Sequence, residues 1–435
     1  MRRLVWLVAA LGLLLARPAS ANGRFPASNA VVFDPHDAKT IYVRVTFGLL
    51  VTHDAGQTWR WVCERAIGFS GIEDPTYVVT PKGTLVGGTF SGISVSRDGG
   101  CSWSFSGGAG THLVSDLAMR PEGSIVGITS TYKKAGPEGS LYENKVLVSK
   151  DDATTFTVSG GAIDPTLLLE SIEIADSDPQ RLYISAVRGE GDKRTFAFLA
   201  SYNEGLSWVE RKLDIQAGET GPFIAIVDPK NADRVYVRTA GTPEAKTRLL
   251  VTDDAGKTWR KVLDSATPLL GFAIAADGSK VWVGNKEGVS YAPTDTFTFT
   301  KGFAVESQCL GAAGATLWSC SSERGGYFVG SSKNGGRSFE ARVHLEEIKG
   351  PLECPAESNV TKICVDDWVK QRRELGLPDP TEKGGRVDTG APQLRGRAEK
   401  PSQTRSSIVG VIMLIAILYL GYELLRWIRK KQRGG

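Results

Sequence analysis

Histidine and methionine are scarce in this chain of 435 residues, which has four histidines and three methionines. His36, His53, His112 and His344 lie far apart and show none of the short spacings typical of histidine metal ligands. The sequence also has no G-x-S-x-G nucleophile motif and no glycine-rich phosphate loop. These absences argue against a metal centre and against the common hydrolase and nucleotide-binding motifs, and we expect no cofactor.

Long apolar runs are confined to the two ends of the chain. Residues 1–21 combine a basic start, an apolar stretch and the sequence "ASA", which predicts a secretory signal peptide cleaved before Asn22. Residues 406–425, "SSIVGVIMLIAILYLGYELL", would just cross the roughly 30 Å apolar layer of a bilayer as a helix. The basic tail, residues 426–435, favours the cytoplasmic side. We therefore predict an exported, single-pass membrane protein with its bulk in the periplasm or at the cell surface.

Positive charge is concentrated at the same two ends. The net charge is +4, of which residues 1–21 supply +3 and residues 406–435 supply +4. The rest of the chain therefore carries a net charge of −3. Because this part has no basic surplus, the composition does not predict nucleic-acid binding.

One short motif recurs through the middle of the chain. "LLVTHDAGQTWRWV" begins at Leu49 and "LLVTDDAGKTWRKV" begins at Leu249. The motif, which we call the box, reads Ser or Thr, any residue, Asp or Asn, any residue, Gly or Ala, any residue, Ser or Thr, then Trp or Phe. Its six copies place an Asp or Asn and an aromatic residue at Asp54 and Trp59, Asp98 and Trp103, Asp151 and Phe156, Asn203 and Trp208, Asp254 and Trp259, and Asn334 and Phe339.

The spacing of the boxes predicts the fold. Successive copies lie 44 to 80 residues apart, and the widest gap holds a degenerate copy, "APTDTFTF", at residues 292–299. Such periods indicate a repeat architecture. Each unit has two apolar strand-like segments, a third leading into the box and a fourth leaving it. Seven such units predict an all-β protein, a seven-bladed β-propeller of four-stranded antiparallel blades over residues 22–345.

The composition of the box suits a structural turn. Its Asp or Asn can accept backbone N–H groups, its Gly permits a positive φ, and its aromatic ring can seal the sheet edge. Six equivalent active sites in one chain would be unusual. The box resembles the Asp-box, or BNR repeat, of sialidases, sortilin-type receptors, xyloglucan-cleaving glucanases and photosystem-assembly propellers. In these families the box joins the third and fourth strands of a blade, away from the usual ligand face.

The period ends with a cysteine-containing segment, residues 346–377. Its sequence "VDDWVKQRRELG" predicts a short helix ending at Gly376. An even number of cysteines in an exported chain favours disulfides, although the sequence leaves several pairings open. We expect a helical cap stapled by Cys354–Cys364, with further bonds Cys309–Cys320 and Cys63–Cys101. Residues 378–405 are nearly free of aliphatic side chains and predict a disordered linker to the membrane.

The resemblance to hydrolases is incomplete. A sialidase needs an arginine cluster and six blades, whereas this chain offers only Arg24 in "GRFP" and seven units. In the glucanases a catalytic Asp follows the second strand of the first blade. Here the corresponding segment is "VTFGLL", with Thr46 and Phe47 at that place. Glycoside hydrolysis normally uses two carboxyl groups.

A binding face opposite the boxes is therefore the favoured interpretation, with a protein or glycan of the cell envelope as ligand and no catalytic residues. The alternative is a glycoside hydrolase of sialidase- or xyloglucanase-like type with a rearranged site that uses some of the acidic residues. We expect residues 131–144 and 188–194 to form loops on this face. The candidate contact residues are Lys133, Lys134, Glu138, Tyr142, Arg188, Arg194, Glu73, Asp74, Glu170 and Glu306.

Overall fold

Seven four-stranded antiparallel sheets form the protein, and each sheet is built from four consecutive strands. The structure is a computed structural model and describes residues 25–377, apart from residues 109, 111, 137–138 and 243–245. The first four blades consist of β1 (Ser28–Phe33), β2 (Ile41–Val45), β3 (Gly48–Thr52), β4 (Arg60–Val62); β5 (Thr76–Val79), β6 (Leu85–Thr89), β7 (Gly92–Ser96), β8 (Ser104–Phe105); β9 (Val114–Met119), β10 (Ile125–Gly136), β11 (Gly139–Ser149), β12 (Thr157–Ser159); and β13 (Leu167–Ala175), β14 (Asp178–Arg188), β15 (Thr195–Ser201), β16 (Val209–Leu213).

The remaining three blades follow the same order along the chain. They consist of β17 (Glu219–Asp228), β18 (Asn231–Gly241), β19 (Thr247–Thr252), β20 (Arg260–Ser265); β21 (Gly271–Ile274), β22 (Lys280–Asn285), β23 (Gly288–Pro293), β24 (Thr300–Lys301); and β25 (Cys309–Ala313), β26 (Thr316–Cys320), β27 (Val329–Ser332), β28 (Glu340–Val343). Among the described residues the helices are α1 (Glu64–Ile67) and α2 (Val365–Glu374), with single 3₁₀ turns at Gly191–Lys193, Glu323–Gly325 and Leu345–Glu347 and a π turn at Val360–Cys364.

The sheets are arranged in a ring around a central channel. The first strand of each blade contacts the first strands of both neighbouring blades, and the last blade contacts the first. Because the strands alternate in direction, the turns between first and second strands lie on the same face as the boxes, which we call the box face. The links between second and third strands, and those between blades, lie on the opposite face, which we call the link face. The seven-bladed propeller predicted from the repeat is confirmed.

The box turns are held by their own polar side chains. Asp54 accepts hydrogen bonds from the Thr52 hydroxyl at 2.7 Å, the Thr58 amide at 2.8 Å and the Thr58 hydroxyl at 2.7 Å. The two residues after the acid have left-handed backbones, with φ of 59° at Ala55 and 85° at Gly56. The box at Asp254 has the same bonds. These hydrogen bonds stabilise the ionised carboxylate and lower the pKa of Asp54 to about 2, against the opposing effect of burial.

Asp54→Ala is expected to lower the free energy of unfolding by about 1–3 kcal/mol, because the Thr58 amide and both hydroxyls lose their acceptor. The chain supplies its own control. Asn203 accepts the Ser207 amide and donates to the Ser207 hydroxyl, so an amide fits the same turn. Asp54→Asn should therefore cost much less. Urea unfolding of both variants would measure the difference, and equal losses would show that the acceptor is not what matters.

The first and last blades meet and close the ring without sharing a strand. The Ser28 hydroxyl of β1 donates to the Phe328 carbonyl beside β27 at 2.6 Å. The Phe47 and Phe328 rings pack across the same boundary with centroids 6.0 Å apart. A second part of the closure comes from residues 345–377, which we call the clasp.

The clasp runs from the last blade to the first two. Its Leu352 amide donates to the Trp61 carbonyl, and the Trp61 amide donates to the Gly350 carbonyl, both at 2.8 Å, so the clasp extends blade 1 beyond β4 as a parallel strand. Helix α2 then places Trp368 against Trp61, with ring centroids 5.2 Å apart. The helix predicted before Gly376 is present, and Gly376 follows it with a φ of 73°.

The disulfides differ from the expected pairing in two of three cases. Cys309 and Cys320 are bonded across β25 and β26. The expected bonds Cys354–Cys364 and Cys63–Cys101 are wrong, because the structure has Cys63–Cys364 and Cys101–Cys354 instead. The clasp is therefore not stapled to itself but is bonded to blade 1 and to blade 2.

Asn359, which begins the sequence "NVT", anchors the clasp rather than facing solvent. Its amide nitrogen donates to the carbonyls of Ala66 at 2.9 Å and Trp103 at 3.0 Å, and its carbonyl accepts the Trp103 amide at 2.9 Å. A glycan on this nitrogen would remove one of these bonds and meet the packed surface of the first two blades.

The predicted signal peptide (residues 1–21), linker (378–405), membrane helix (406–425) and tail (426–435) lie outside the described residues. Among the described residues, no helix is long and apolar enough to span a membrane.

Candidate functional site

The most prominent feature of the link face is the hairpin of β10 and β11. Residues 131–144, expected to form a loop, are instead paired as strands for nearly their whole length. Apolar alternation ends near Thr131, but cross-strand pairs continue the sheet: the Tyr132 and Tyr142 rings pack edge to face with centroids 6.4 Å apart. The hairpin thus extends beyond the other links, and Tyr132 is exposed.

The charges on this hairpin are largely paired with one another. Glu143 lies 2.6 Å from Lys133 and 3.0 Å from Lys145, and these two cations lower the pKa of Glu143 to about 2. Lys134 is exposed near the tip. Of the expected contact residues, Glu138 lies outside the described residues.

Arg188 has a structural environment. It pairs with Asp164 at 3.0 Å and with Glu210 at 2.9 Å, and its Nε donates to the Thr166 hydroxyl. These bonds hold the pKa of Arg188 above its usual value. The guanidinium therefore joins β14 to β16 and to the preceding link, and it is poorly placed to receive a ligand.

Three of the four candidate carboxylates on the link face accept hydrogen bonds from the fold. Glu73 accepts the Phe90 amide at 2.8 Å, Asp74 accepts the Asn29 side-chain amide at 3.1 Å, and Glu306 accepts the Ser322 hydroxyl at 3.0 Å. Glu73 and Asp74 lie in the link between blades 1 and 2, whereas Glu306 lies in the link between blades 6 and 7. The structure does not bring the four together as one constellation.

Glu170 is the exception, because it lines a cleft. The cleft has a volume of about 120 Å³, and its walls include Tyr142, Glu190 and Arg194. Burial raises the pKa of Glu170 to about 7, and the charge of Arg194 opposes that shift. The volume is below the roughly 300–1,000 Å³ typical of small-molecule sites. The cleft therefore suits a single side chain or a sugar substituent better than a whole substrate.

Exposed apolar side chains are concentrated on the link face, which the sequence interpretation missed. Of the twelve exposed large apolar side chains among the described residues, seven lie on links, link-face strand ends or the N-terminal lead of this face. They are Phe25, Ile72, Phe90, Phe105, Tyr132, Ile215 and Leu270. Their signal in the sequence is an apolar residue within a turn, where polar residues are usual.

The central channel contains two further carboxyl groups that sequence reasoning missed. Asp116 of β9 accepts the Leu117 amide at 2.9 Å and the Ile172 amide of the next blade at 3.0 Å. Burial raises the pKa of Asp116 to about 6. Burial and the charge of Asp116 also raise the pKa of Glu173 on β13. Across the channel, burial and the charge of Arg44 lower the pKa of Arg238 to about 10.

Within the described part of the chain, no group of three or more His, Cys, Asp or Glu side chains is placed to hold a metal ion.

Comparisons with known proteins add a likeness of fold. No family model and no curated protein matches the chain. Among solved structures, the chain resembles the extracellular domain of a hybrid two-component system from B. thetaiotaomicron, at 13% identity and a TM-score of 0.49, over 71% of this chain and 38% of that one. It resembles the GH74 xyloglucanase from Xanthomonas campestris at 13% identity and a TM-score of 0.36, over 72% and 64%. It also resembles an inactive variant of virginiamycin B lyase from Staphylococcus aureus at 11% identity and a TM-score of 0.48, over 70% and 94%.

The chain thus spans less than half the length of the first of these proteins. At such identities the likeness concerns the fold alone.

Proposed function

We propose that the protein is a non-catalytic, extracytoplasmic binding module of the Asp-box propeller type that captures a protein ligand on its link face. Residues 1–21 direct export, and residues 406–425 anchor the chain in a membrane with residues 426–435 on the cytoplasmic side. The linker, residues 378–405, gives the propeller reach above that membrane.

The observation that carries the proposal is the set of exposed apolar side chains on the link face. Ile72 is 80% exposed, and Phe90 and Phe105 are each 50% exposed. Large apolar side chains of this kind are usually buried in the core. Aromatic and aliphatic anchors are enriched in the centres of protein interfaces, and clustered exposed apolar surface marks interaction sites. Since these exposed groups are large aromatic and aliphatic side chains, a protein fits better than a glycan.

A second candidate, a glycoside hydrolase, is favoured by one observation. Glu170, whose pKa burial raises to about 7, shares its cleft with Glu190, so a protonated acid and a second carboxyl lie near each other. Turnover of a sialoside or β-glucan that Glu170→Gln abolishes would support the hydrolase and defeat the binding module.

The binding proposal predicts that Ile72→Ser with Phe90→Ser weakens capture of the ligand at least tenfold. Ile72 precedes Glu73, which accepts the Phe90 amide, so the two residues lie close enough to contact one partner. The matched control is Val158→Ser with Leu206→Ser, two exposed apolar residues away from the link face, at 62% and 64% exposure. The full-length chain in detergent would be cross-linked to envelope proteins and glycans and the captured species identified.

Equal loss of capture in both double variants, or none in either, would contradict the assignment of the link face. A captured glycan in place of a protein would keep the face but replace the ligand class.

A further inference from the structure

One cleft lies on the box face, a surface that the proposed function does not use. It has a volume of about 460 Å³, within the range of small-molecule sites. Its walls come from the first-to-second strand turns of blades 2, 3 and 4 and from the box turns of blades 3 and 4. Its charged lining residues are Lys82, Arg120, Glu122, Lys150, Asp152 and Glu204.

Arg120 is the central residue of this cleft. Its side chain is buried, at 4% exposure, and two of its donors are committed: Nε to the Pro179 carbonyl at 3.0 Å and Nη1 to the Ser124 hydroxyl at 3.1 Å. The remaining nitrogen, Nη2, has no hydrogen-bond acceptor among the described residues. It forms a long ion pair with Glu204, whose carboxylate oxygen is 4.0 Å away. An acceptor that enters the cleft could therefore form a closer bond with Nη2 than Glu204 does.

The acidic side chains of the cleft form its walls. Asp152 accepts the Thr80 and Thr84 hydroxyls of the neighbouring blade at 2.7 and 2.8 Å. Glu122 accepts the Ser124 hydroxyl at 2.6 Å. Both carboxylate oxygens of Asp152 and one of Glu122 are thus used within the protein.

The boxes of blades 3 and 4, which line the cleft, differ in sequence from the other boxes at one position. The residue after the box Asp or Asn has a left-handed backbone in all the boxes described, and the other copies fill it with small residues, Ala55, Gly99, Ala255 and Gly335. Blades 3 and 4 instead have Asp152 with a φ of 59° and Glu204 with a φ of 60°. Side chains with a Cβ are disfavoured in this conformation. The two departures occur at the two boxes that line the cleft, where Asp152 fastens blade 3 to blade 2.

The two lysines of the cleft are uncommitted. Lys82 and Lys150 are exposed at its rim, and neither ammonium has a hydrogen-bond or ion-pair partner in the part of the chain that the structure describes. Two free ammonium groups therefore lie on the rim of a cleft whose buried guanidinium has one nitrogen, Nη2, held only by a 4.0 Å ion pair with Glu204. Arg and Lys together are the usual partners of carboxylate and phosphate groups.

We propose that this cleft binds a small ligand carrying an oxyanion, a carboxylate or a phosphate, which Arg120 Nη2 and the ammonium groups of Lys82 and Lys150 receive. The site is separate from the link face, so the protein would have a small-molecule site on one face and a partner surface on the other.

The test is calorimetric titration of the full-length protein in detergent at low, constant ionic strength with inorganic phosphate, succinate and glucose. We expect saturable binding of at least one of the two anions and not of glucose. The preferred anion identifies the oxyanion. Lys82→Gln with Lys150→Gln should weaken it at least tenfold, whereas Lys39→Gln with Lys257→Gln, which removes two exposed lysines elsewhere on the box face, should not change it. Thermal unfolding of both double variants would show that the fold is intact.

The proposal is overturned if neither anion binds saturably in the millimolar range, if both double variants bind equally, or if glucose binds as tightly as the anions. Arg120→Lys provides a second variant, because it keeps the charge but loses the guanidinium Nη2; unchanged anion affinity in it would also overturn the assignment.

Discussion

Removing both clasp disulfides is expected to open the propeller ring and to leave the chain largely unfolded at ambient temperature. Cys63–Cys364 closes a loop of 301 residues, which in the chain-entropy treatment stabilises the folded state by about 6 kcal/mol. Cys101–Cys354 closes 253 residues, but once the first bond exists it closes only the difference of 48, worth about 4 kcal/mol. The joint loss of about 10 kcal/mol is comparable to the whole stability of a typical protein, 5–15 kcal/mol.

Removing both bonds should therefore cost more free energy of unfolding than the sum of the two single removals. Either single loss, Cys63→Ser with Cys364→Ser or Cys101→Ser with Cys354→Ser, leaves the ring closed by the other bond and should cost about 4 kcal/mol.

The matched control is Cys309→Ser with Cys320→Ser, which opens a loop of 11 residues inside blade 7 and should cost about 3 kcal/mol. Urea unfolding of the three double variants and of the variant lacking both clasp bonds would measure these losses. If the variant lacking both bonds were no less stable than either single loss, the clasp would not be what closes the ring.

The blades could be predicted from the sequence because the box is a local device. Each copy carries its own acceptor, its left-handed residues and its aromatic ring within eight residues, so its structure does not depend on distant partners. The short helix α2 could be predicted for the same reason.

The disulfide pairing could not be predicted, because it depends on where the clasp meets the ring. Cys354 and Cys364 are close in sequence, yet the clasp crosses from blade 2 back to blade 1 between them, and each finds a partner more than 250 residues away. Pairing by proximity in sequence fails whenever a segment packs across two repeats.

The candidate site was only partly visible in the sequence. The acids of the link face were identified, but whether an acid is free or tied to a neighbouring link depends on contacts such as that of Glu73 with the Phe90 amide. Asp116 and Glu173 were missed because a carboxylate within an apolar strand has no distinguishing pattern until the ring places it in a channel.

These channel carboxyls give stability an unusual dependence on pH. The box acids have lowered pKa values, about 2 at Asp54, Asp151 and Asp254, so their contribution is present above an unfolded pKa near 4 and is lost as the pH falls toward 2. Asp116 has the opposite sign. Because its folded pKa is raised to about 6, its contribution is present below pH 4 and is lost as the pH rises through 6. We therefore expect maximal stability near pH 4.

Asp116→Asn tests the second half of this expectation. A shift from 3.8 to about 6 corresponds to about 3 kcal/mol in all, of which about 2.4 kcal/mol is lost between pH 4 and pH 7, because the unfolded carboxyl is already partly ionised at pH 4. The variant cannot titrate, so its free energy of unfolding should fall about 2.4 kcal/mol less over that interval than that of the unchanged protein. Any cost of the substitution that is equal at both pH values cancels. Asp277→Asn is the control. Hydrogen bonds from Ser279 lower the pKa of this exposed acid, so the substitution should not change the decline in the free energy of unfolding between pH 4 and pH 7. Urea unfolding at pH 4 and pH 7 measures the decline in the free energy of unfolding between these pH values. An unchanged decline in Asp116→Asn would show that the channel carboxyl is already ionised in the folded protein at pH 4. Its charge would then be balanced by Arg44 and by the two amides that donate to it.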